Sequence, residues 1–129
     1  MSTICERVGD YVQALGFGEL PAPVVDYAKR ILLDSLACLY GGLHSAPATI
    51  VRRTVAEYGG PAQSTVVGSA AKSTAQHAGL ANAVAIRYQD YNDVYFGPAW
   101  TAHPSDNLGA LLAVGEWRHA SGADFVAAM

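Results

Sequence analysis

Hydrophobic residues recur at helical spacing along most of the chain, and this pattern predicts six helices. In each stretch the apolar positions fall three or four residues apart, as on one face of a helix. Serine or threonine precedes several of these stretches and glycine or proline separates them, which is typical of helix ends. The predicted helices span about residues 3–15, 24–40, 45–58, 75–88, 106–119 and 123–129.

One segment, Gln63-Ser-Thr-Val-Val-Gly68, is rich in β-branched residues between turn signals. It predicts one short strand at most, and its partner would come from another segment. The sequence therefore predicts an all-α fold, a mainly helical bundle with at most one short strand. The fourth helix consists mostly of alanine, glycine and other small residues, so neighbouring helices can approach it closely and we expect it at the centre.

The composition indicates that this chain is not a self-contained globular protein. At 129 residues the chain forms at most one domain. It is 51% hydrophobic and 15% charged, against about 25% charged in a usual soluble domain, and its mean hydropathy is +0.17. Either the chain oligomerises or residues 1–129 are an incomplete portion of a larger domain, and we favour the second interpretation.

Charge and cysteine content exclude several classes of partner. The net charge is −3 with no basic run, so we expect no nucleic acid partner. The longest apolar runs are shorter than the 18–20 residues of a typical membrane span, and without a signal peptide the default location is cytoplasmic. Cys5 and Cys38 lack metal-binding spacing and predict two reduced thiols. We expect no metal, no iron–sulfur cluster and no cofactor.

Polar and aromatic side chains are concentrated between residues 87 and 107, where the chain carries three aspartates, a histidine, an arginine and four aromatic residues besides phenylalanine. Functional groups concentrate on loops held by rigid elements. Asp90 and Asp93 are three residues apart, a spacing that suits acid–base chemistry if the carboxylates are close. They could equally be solvated aspartates that bind backbone N–H groups.

His103 precedes a predicted helix start, with Ser105 as the cap. A substrate carboxylate could bind the backbone amides of Ser105–Asn107 while His103 handles a proton. The alternative is a loop histidine that binds a carbonyl. Arg87 could bind a carboxylate through its planar guanidinium, or pair with Asp90.

Three motifs resemble the MmgE/PrpD family. The first is the helix from Val24 to Cys38, and the second is Ser64–Gly68 followed by the alanine-rich helix from residue 78. The third and most specific is Asp90-Tyr-Asn-Asp93 together with His103-Pro-Ser-Asp-Asn107. The third motif looks closest to the 2-methylcitrate dehydratase branch, although Val94 stands where the family often has threonine.

The resemblance implies that residues 1–129 are the N-terminal portion of the family's helical domain, without its smaller lid domain. It implies a small tricarboxylic acid substrate and a homodimer in the full-length parent. The implied activity is a hydro-lyase that dehydrates 2-methylcitrate to 2-methylaconitate in propionate catabolism. It implies catalytic roles for Asp90 and His103, and substrate binding by four further residues, namely Arg87, Asp93, Ser105 and Asn107.

Two alternatives remain open at this point. The same motif would suit another MmgE/PrpD activity, such as cis-aconitate decarboxylation or epimerisation of a related acid, because these reactions also begin beside a carboxylate. The other alternative is an inactive, truncated helical module that associates through apolar faces.

Overall fold

A computed structural model describes residues 2–129, and in this range the chain forms six α-helices, as predicted. They are α1 (Ile4–Ala14), α2 (Ala22–Gly42), α3 (Ala46–Tyr58), α4 (Ala75–Arg87), α5 (Leu108–Arg118) and α6 (Gly122–Ala128). Two short 3-10 turns, Phe17–Glu19 and Pro104–Asn107, precede α2 and α5. The mainly helical class is confirmed.

Side-chain caps begin four of the helices. The hydroxyls of Thr3, Ser45, Thr74 and Ser121 each accept a hydrogen bond from a backbone N–H in the following turn. Each such cap satisfies a donor that the helix itself leaves free, which is worth about 1 kcal/mol. These caps explain why the starts of α1, α3, α4 and α6 lie close to the predicted positions.

Helix α2 extends beyond the predicted range at both ends. It begins at Ala22, and Gly41 and Gly42 lie in its last turn rather than beyond it. The absence of a side chain at Gly42 is required there, because a Cβ atom would lie 2.1 Å from the carbonyl oxygen of Ala85 on α4. Gly42 therefore permits close packing of α2 on α4 at the point where α2 ends.

The strands differ from the prediction in number. Strand β1 (Ser64–Thr65) pairs antiparallel with β2 (Lys72–Ser73), so the partner comes from the residues just before α4. A second hairpin pairs β3 (Tyr95–Phe96) with β4 (Thr101–Ala102) inside the segment predicted to be a loop. A strand of two residues is too short to show an alternating pattern, which explains why the sequence did not reveal three of the four.

Helix α4 is the centre of the fold, as its small residues predicted. It packs against α2, α3 and α5. Seven of its residues are buried, namely Ala75, Ala78, Gly79, Ala81, Asn82, Ala85 and Ile86. One core cluster joins α2, α4 and α5 through Leu39, Ile86 and Leu108.

The β1–β2 hairpin is fixed to the helices by two polar side chains. On α4, buried Asn82 accepts from the backbone N–H of Val67 and donates to the carbonyl of Thr65. On α5, Glu116 accepts from Thr65 and from Lys72. Partial burial raises the pKa of Glu116, but the hydrogen bonds from Lys72 and Thr65 outweigh that effect and hold the pKa below its ordinary value.

Helix α1 is the most exposed helix. None of its residues is buried, and Ile4, Val8, Tyr11 and Val12 are all more than half exposed. Within residues 2–129, no helix combines the length and the apolar character that crossing a membrane requires.

Candidate active site

The segment between α4 and α5 leaves the helix through a turn at Asp90, whose backbone N–H donates to the carbonyl of Arg87. Asp90 has a φ of 55°, in the left-handed region that aspartate adopts more easily than most residues. The chain then forms the β3–β4 hairpin and returns through the 3-10 turn Pro104–Asn107 to the start of α5. This path brings the start and the end of the segment together beside the last turn of α4.

Arg87, the last residue of α4, contacts three side chains of this segment. Its Nη2 lies 3.0 Å from Asp90 Oδ1, and its Nε lies 3.0 Å from Asp106 Oδ1. Its Nη1 donates to Asn92 Oδ1 at 3.1 Å. The guanidinium therefore joins residues from both ends of the segment.

A buried chain of hydrogen bonds continues from Asn92. Asn92 is 3% exposed and its Nδ2 donates to Ser105 Oγ at 2.7 Å, while Ser105 itself is fully buried. The backbone N–H of Ser105 donates to both carboxylate oxygens of Asp93, at 3.2 and 3.3 Å. Polar groups removed from water in this way are stable only when they are paired, so these bonds hold the segment in one shape.

His103 is half-buried and is held by the same segment. Its Nδ1 lies 2.7 Å from the backbone carbonyl oxygen of Asp93. A carbonyl oxygen only accepts, so Nδ1 carries the hydrogen, and in the neutral imidazole Nε2 has a free lone pair. This tautomer makes Nε2 a base.

Hydrogen bonds and ion pairs, partly through Asn92, connect five of the six predicted site residues, and Asn107 stands apart from them. Asp90 contacts Arg87, whereas His103 contacts Asp93, and in residues 2–129 no hydrogen bond joins Asp90 to His103. The carboxylates of Asp90 and Asp93 do not share a site, because one faces Arg87 and the other faces the Ser105 amide. The side chain of Asn107 is exposed and makes one long contact of 3.4 Å, with the carbonyl of Pro104.

The predicted cap at Ser105 is wrong. Helix α5 begins at Leu108, and Ser105 lies inside the preceding 3-10 turn, where its hydroxyl accepts from Asn92 instead of capping a helix. Two of the three amides expected to bind a substrate carboxylate are also engaged: that of Ser105 binds Asp93, and that of Asp106 donates to the carbonyl of His103. The structural reason is Pro104, whose fixed φ favours a tight turn directly after His103.

The sequence analysis did not single out Asn92 or Asp106. Asn92 stands between two aspartates, and its amide carries both a donor and an acceptor, which an ionised aspartate does not. Asp106 is the second carboxylate partner of Arg87. The alternative that Arg87 pairs with Asp90 is observed, so a substrate carboxylate would have to compete with two aspartates for this guanidinium.

Helix α2 places a thiol beside the segment. Cys38 is 1% exposed. Burial raises the pKa of the Cys38 thiol, and the negative charges of Asp34 and Asp93 raise it further. The thiol stays protonated at neutral pH and is a packing group rather than a nucleophile. Among residues 2–129, no group of three or more histidine, cysteine or acidic side chains converges as metal ligands would.

These features define a class: a helical domain around a small-residue helix, with a charged segment held over one end of it. The chain belongs to the MmgE/PrpD family, because the model of the MmgE/PrpD N-terminal domain matches residues 6–129. No solved structure matches the chain.

Several curated relatives carry the names of dehydratases. An alkylcitrate dehydratase of Talaromyces stipitatus is 34% identical over 99 residues, which cover 70% of this chain and 19% of the relative. A mitochondrial 2-methylcitrate dehydratase of Yarrowia lipolytica is 29% identical over 116 residues, 89% of this chain and 22% of the relative. A 2-methylcitrate dehydratase of Salmonella typhimurium is 33% identical over 97 residues, 71% of this chain and 19% of the relative. The chain thus spans about a fifth of the length of the curated relatives it matches.

Proposed function

We propose that this chain supplies an active-site segment of a hydro-lyase that dehydrates 2-methylcitrate to 2-methylaconitate. The family and the names of the dehydratase relatives support the reaction class. The observation that carries the proposal is the bond from His103 Nδ1 to the Asp93 carbonyl, because it fixes the histidine in the tautomer of a base.

Dehydration breaks one C–H bond and one C–OH bond, forms a C=C bond and releases water. A base must take the proton from the carbon beside a carboxylate, and an acid must protonate the departing hydroxyl. We assign the base to His103 Nε2. Asp90 is our candidate for the acid, in a role that requires its carboxyl group to be protonated when substrate is bound.

We assign substrate binding to Arg87 and to the exposed amide of Asn107, and a positioning role to Asp93 and Ser105, whose polar groups bind each other. Substrate carboxylates would exchange with the aspartates that Arg87 now contacts, which would release Asp90 from its ion pair. Ser105 and Asp93 act by holding the segment, and Asn107 is the exposed amide beside it.

The test uses protein expressed from the complete open reading frame that contains these residues. His103→Ala and Asp90→Asn are compared with wild type for conversion of 2-methylcitrate, followed by NMR. Removal of a positioned base or acid lowers kcat by about 10²–10⁴-fold. Asparagine is chosen at Asp90 because it tolerates the left-handed backbone there.

His44→Ala is the matched control, since His44 is an exposed histidine outside the segment, and we expect it to keep wild-type activity. Dehydration at the wild-type rate by a folded His103→Ala protein would sink the assignment of the base. The NMR products also separate the reaction classes, because a decarboxylase would release carbon dioxide and an epimerase would keep the hydroxyl group.

A further inference from the structure

Each of the three nitrogens of the Arg87 guanidinium contacts a different side chain. Nε lies 3.0 Å from Asp106 Oδ1, and Nη2 lies 3.0 Å from Asp90 Oδ1. Nη1 donates to the buried Asn92 at 3.1 Å. Nε and Nη2 form one edge of the planar group, and a single carboxylate can bind along such an edge through both of its oxygens. Here two aspartates share the edge, and each lies against a different nitrogen.

The two aspartates are held differently. Asp106 belongs to the 3-10 turn Pro104–Asn107, and its backbone N–H donates to the carbonyl of His103. Asp90 lies outside the helices and strands, and its side chain is 72% exposed, against 53% for Asp106. An exposed ion pair to one nitrogen favours the paired state by no more than about fivefold. Asp90 is therefore the partner that Arg87 loses more easily.

The charges around Arg87 require an aspartate to leave when a further carboxylate binds. One arginine and two aspartates already give this cluster a net negative charge. A substrate carboxylate on the same guanidinium would add a second unit of negative charge, and carboxylates this close to each other repel. If the ligand replaces Asp90 at Nη2, the charge around Arg87 stays as it is.

We infer that a carboxylate of the substrate displaces Asp90 from Arg87, and that Asp106 is the positioning residue that keeps Asp90 displaceable. While Asp106 occupies Nε, Asp90 is limited to Nη2. Without Asp106, the Asp90 carboxylate would bind both nitrogens of the edge, which is the stronger arrangement, and the substrate would compete with it less well. The inference rests on the proposed function, since it takes a citrate-like acid as the ligand.

The experiment measures the Kd of tricarballylate by isothermal titration calorimetry, with protein from the complete open reading frame. Tricarballylate is a tricarboxylate without the hydroxyl group that dehydration removes. Asp90→Asn removes the competing charge, and we expect it to lower Kd by up to about fivefold. Asp106→Ala removes an equal charge, yet we expect it to raise Kd on the order of threefold, because Asp90 then binds two nitrogens.

The double variant Asp90→Asn/Asp106→Ala separates positioning from a purely structural role. Asp106 acts through Asp90, so its removal should not raise Kd when residue 90 is asparagine. Damage to the 3-10 turn would instead raise Kd by the same factor in both backgrounds. Asp106→Asn keeps an acceptor oxygen and should raise Kd by less than Asp106→Ala. It decides the question if Asp106→Ala does not fold, as judged by circular dichroism.

Asp10→Asn is the matched control for the loss of one negative charge. Asp10 is exposed on α1, outside the segment of the candidate site, and this variant should leave Kd unchanged. A lower Kd in both single variants overturns the inference, because Asp106 would then compete as Asp90 does. A Kd that is unchanged or higher in Asp90→Asn overturns it as well, and so does an effect of Asp106→Ala that is equal in both backgrounds.

Dehydration of 2-methylcitrate by the wild type, measured in parallel, distinguishes failure of the inference from failure of the proposed function. Protein that dehydrates 2-methylcitrate but binds no tricarballylate overturns the inference alone. Opposite changes in Kd without dehydration keep the competition at Arg87 and overturn the proposed function. Folded protein that neither binds tricarballylate nor dehydrates 2-methylcitrate overturns both.

Discussion

Asn92 connects the two charged ends of the candidate site although it carries no charge. Its amide oxygen accepts from Arg87 and its amide nitrogen donates to Ser105, both inside a buried environment. Aspartate has the acceptor but no donor when ionised, and leucine has neither, so few residues replace it. The position of Ser105, and through it that of Asp93, depends on this one amide.

We predict that Asn92→Ala lowers the free energy of unfolding of the 129-residue chain by about 1–3 kcal/mol, the cost of leaving a buried hydroxyl and a guanidinium N–H without their partner. Urea unfolding followed by circular dichroism measures the change. Asn107→Ala is the control: Asn107 is exposed, and we expect a change within about 0.5 kcal/mol. Equal losses in the two variants would contradict the role given to Asn92.

At the residue scale, three contacts that the sequence allowed as alternatives to catalytic roles are observed: Arg87 pairs with Asp90, Asp93 binds a backbone N–H and His103 binds a carbonyl. The sequence placed Asp90, Asp93 and His103 in one segment, because polar and aromatic side chains were concentrated there. The bond between Asp93 and the Ser105 amide spans twelve positions of the chain. It depends on the turn at Asp90 and the tight turn after His103, neither of which has a periodic pattern that a sequence can show.

At the scale of the helices, glycines set how closely two neighbouring helices approach each other. Gly109 at the start of α5 faces α4, and a Cβ atom there would lie 2.6 Å from the backbone nitrogen of Ala83. Nothing lies within 4 Å of the corresponding position at Gly9 on α1. The two glycines occupy helices and have ordinary negative φ angles, so only their surroundings distinguish them.

Gly109→Ala and Gly9→Ala should therefore change stability in opposite directions. At Gly109 the added methyl forces α4 and α5 apart, and overpacking of this kind costs about 1–3 kcal/mol. At Gly9 alanine gains its higher helix propensity, up to about 1 kcal/mol. Urea unfolding of both variants measures the difference, and a stabilising Gly109→Ala would show that the two helices are not in the close contact described above.

At the scale of single elements, the sequence predicted the helices that are long and have a periodic apolar pattern. Eleven to twenty-one residues of apolar spacing were enough to place α1 to α5. Of the four strands only β1 could be predicted, because each strand has two residues. Gly41 and Gly42 suggested the end of α2, and the helix does end at Gly42, although both glycines lie inside its last turn.

Across the whole molecule, burial is uneven. Seven residues of α4 are buried, whereas α1 has none and exposes Ile4 and Tyr11. This distribution agrees with the composition, because the chain contains more apolar residues than residues 2–129 bury. Buried segments unfold locally less readily than exposed ones, so we expect α4 to open much more rarely than α1.

Hydrogen exchange followed by mass spectrometry tests this difference. We predict that amides of α4 exchange only through global unfolding and are the slowest in the chain, and that amides of α1 exchange through local fraying and are the fastest among the helices. A dilution series is the control, because association through α1 would protect its amides at high concentration. Equal protection of α1 and α4 at the lowest concentration would contradict the prediction.

The ion pair between Arg87 and Asp106 joins the two ends of the segment 88–105. Because the ends are held together, the shape of the site does not depend on the length of the chain between them. The entropy lost on closing a flexible loop grows only with the logarithm of its length, so doubling the length costs about 0.6 kcal/mol. The turn between β3 and β4, where the Gly97 N–H donates to the Trp100 carbonyl, is a surface tip with exposed residues. Insertions at that tip therefore change the outline of the molecule while Arg87, Asn92 and Ser105 keep their contacts.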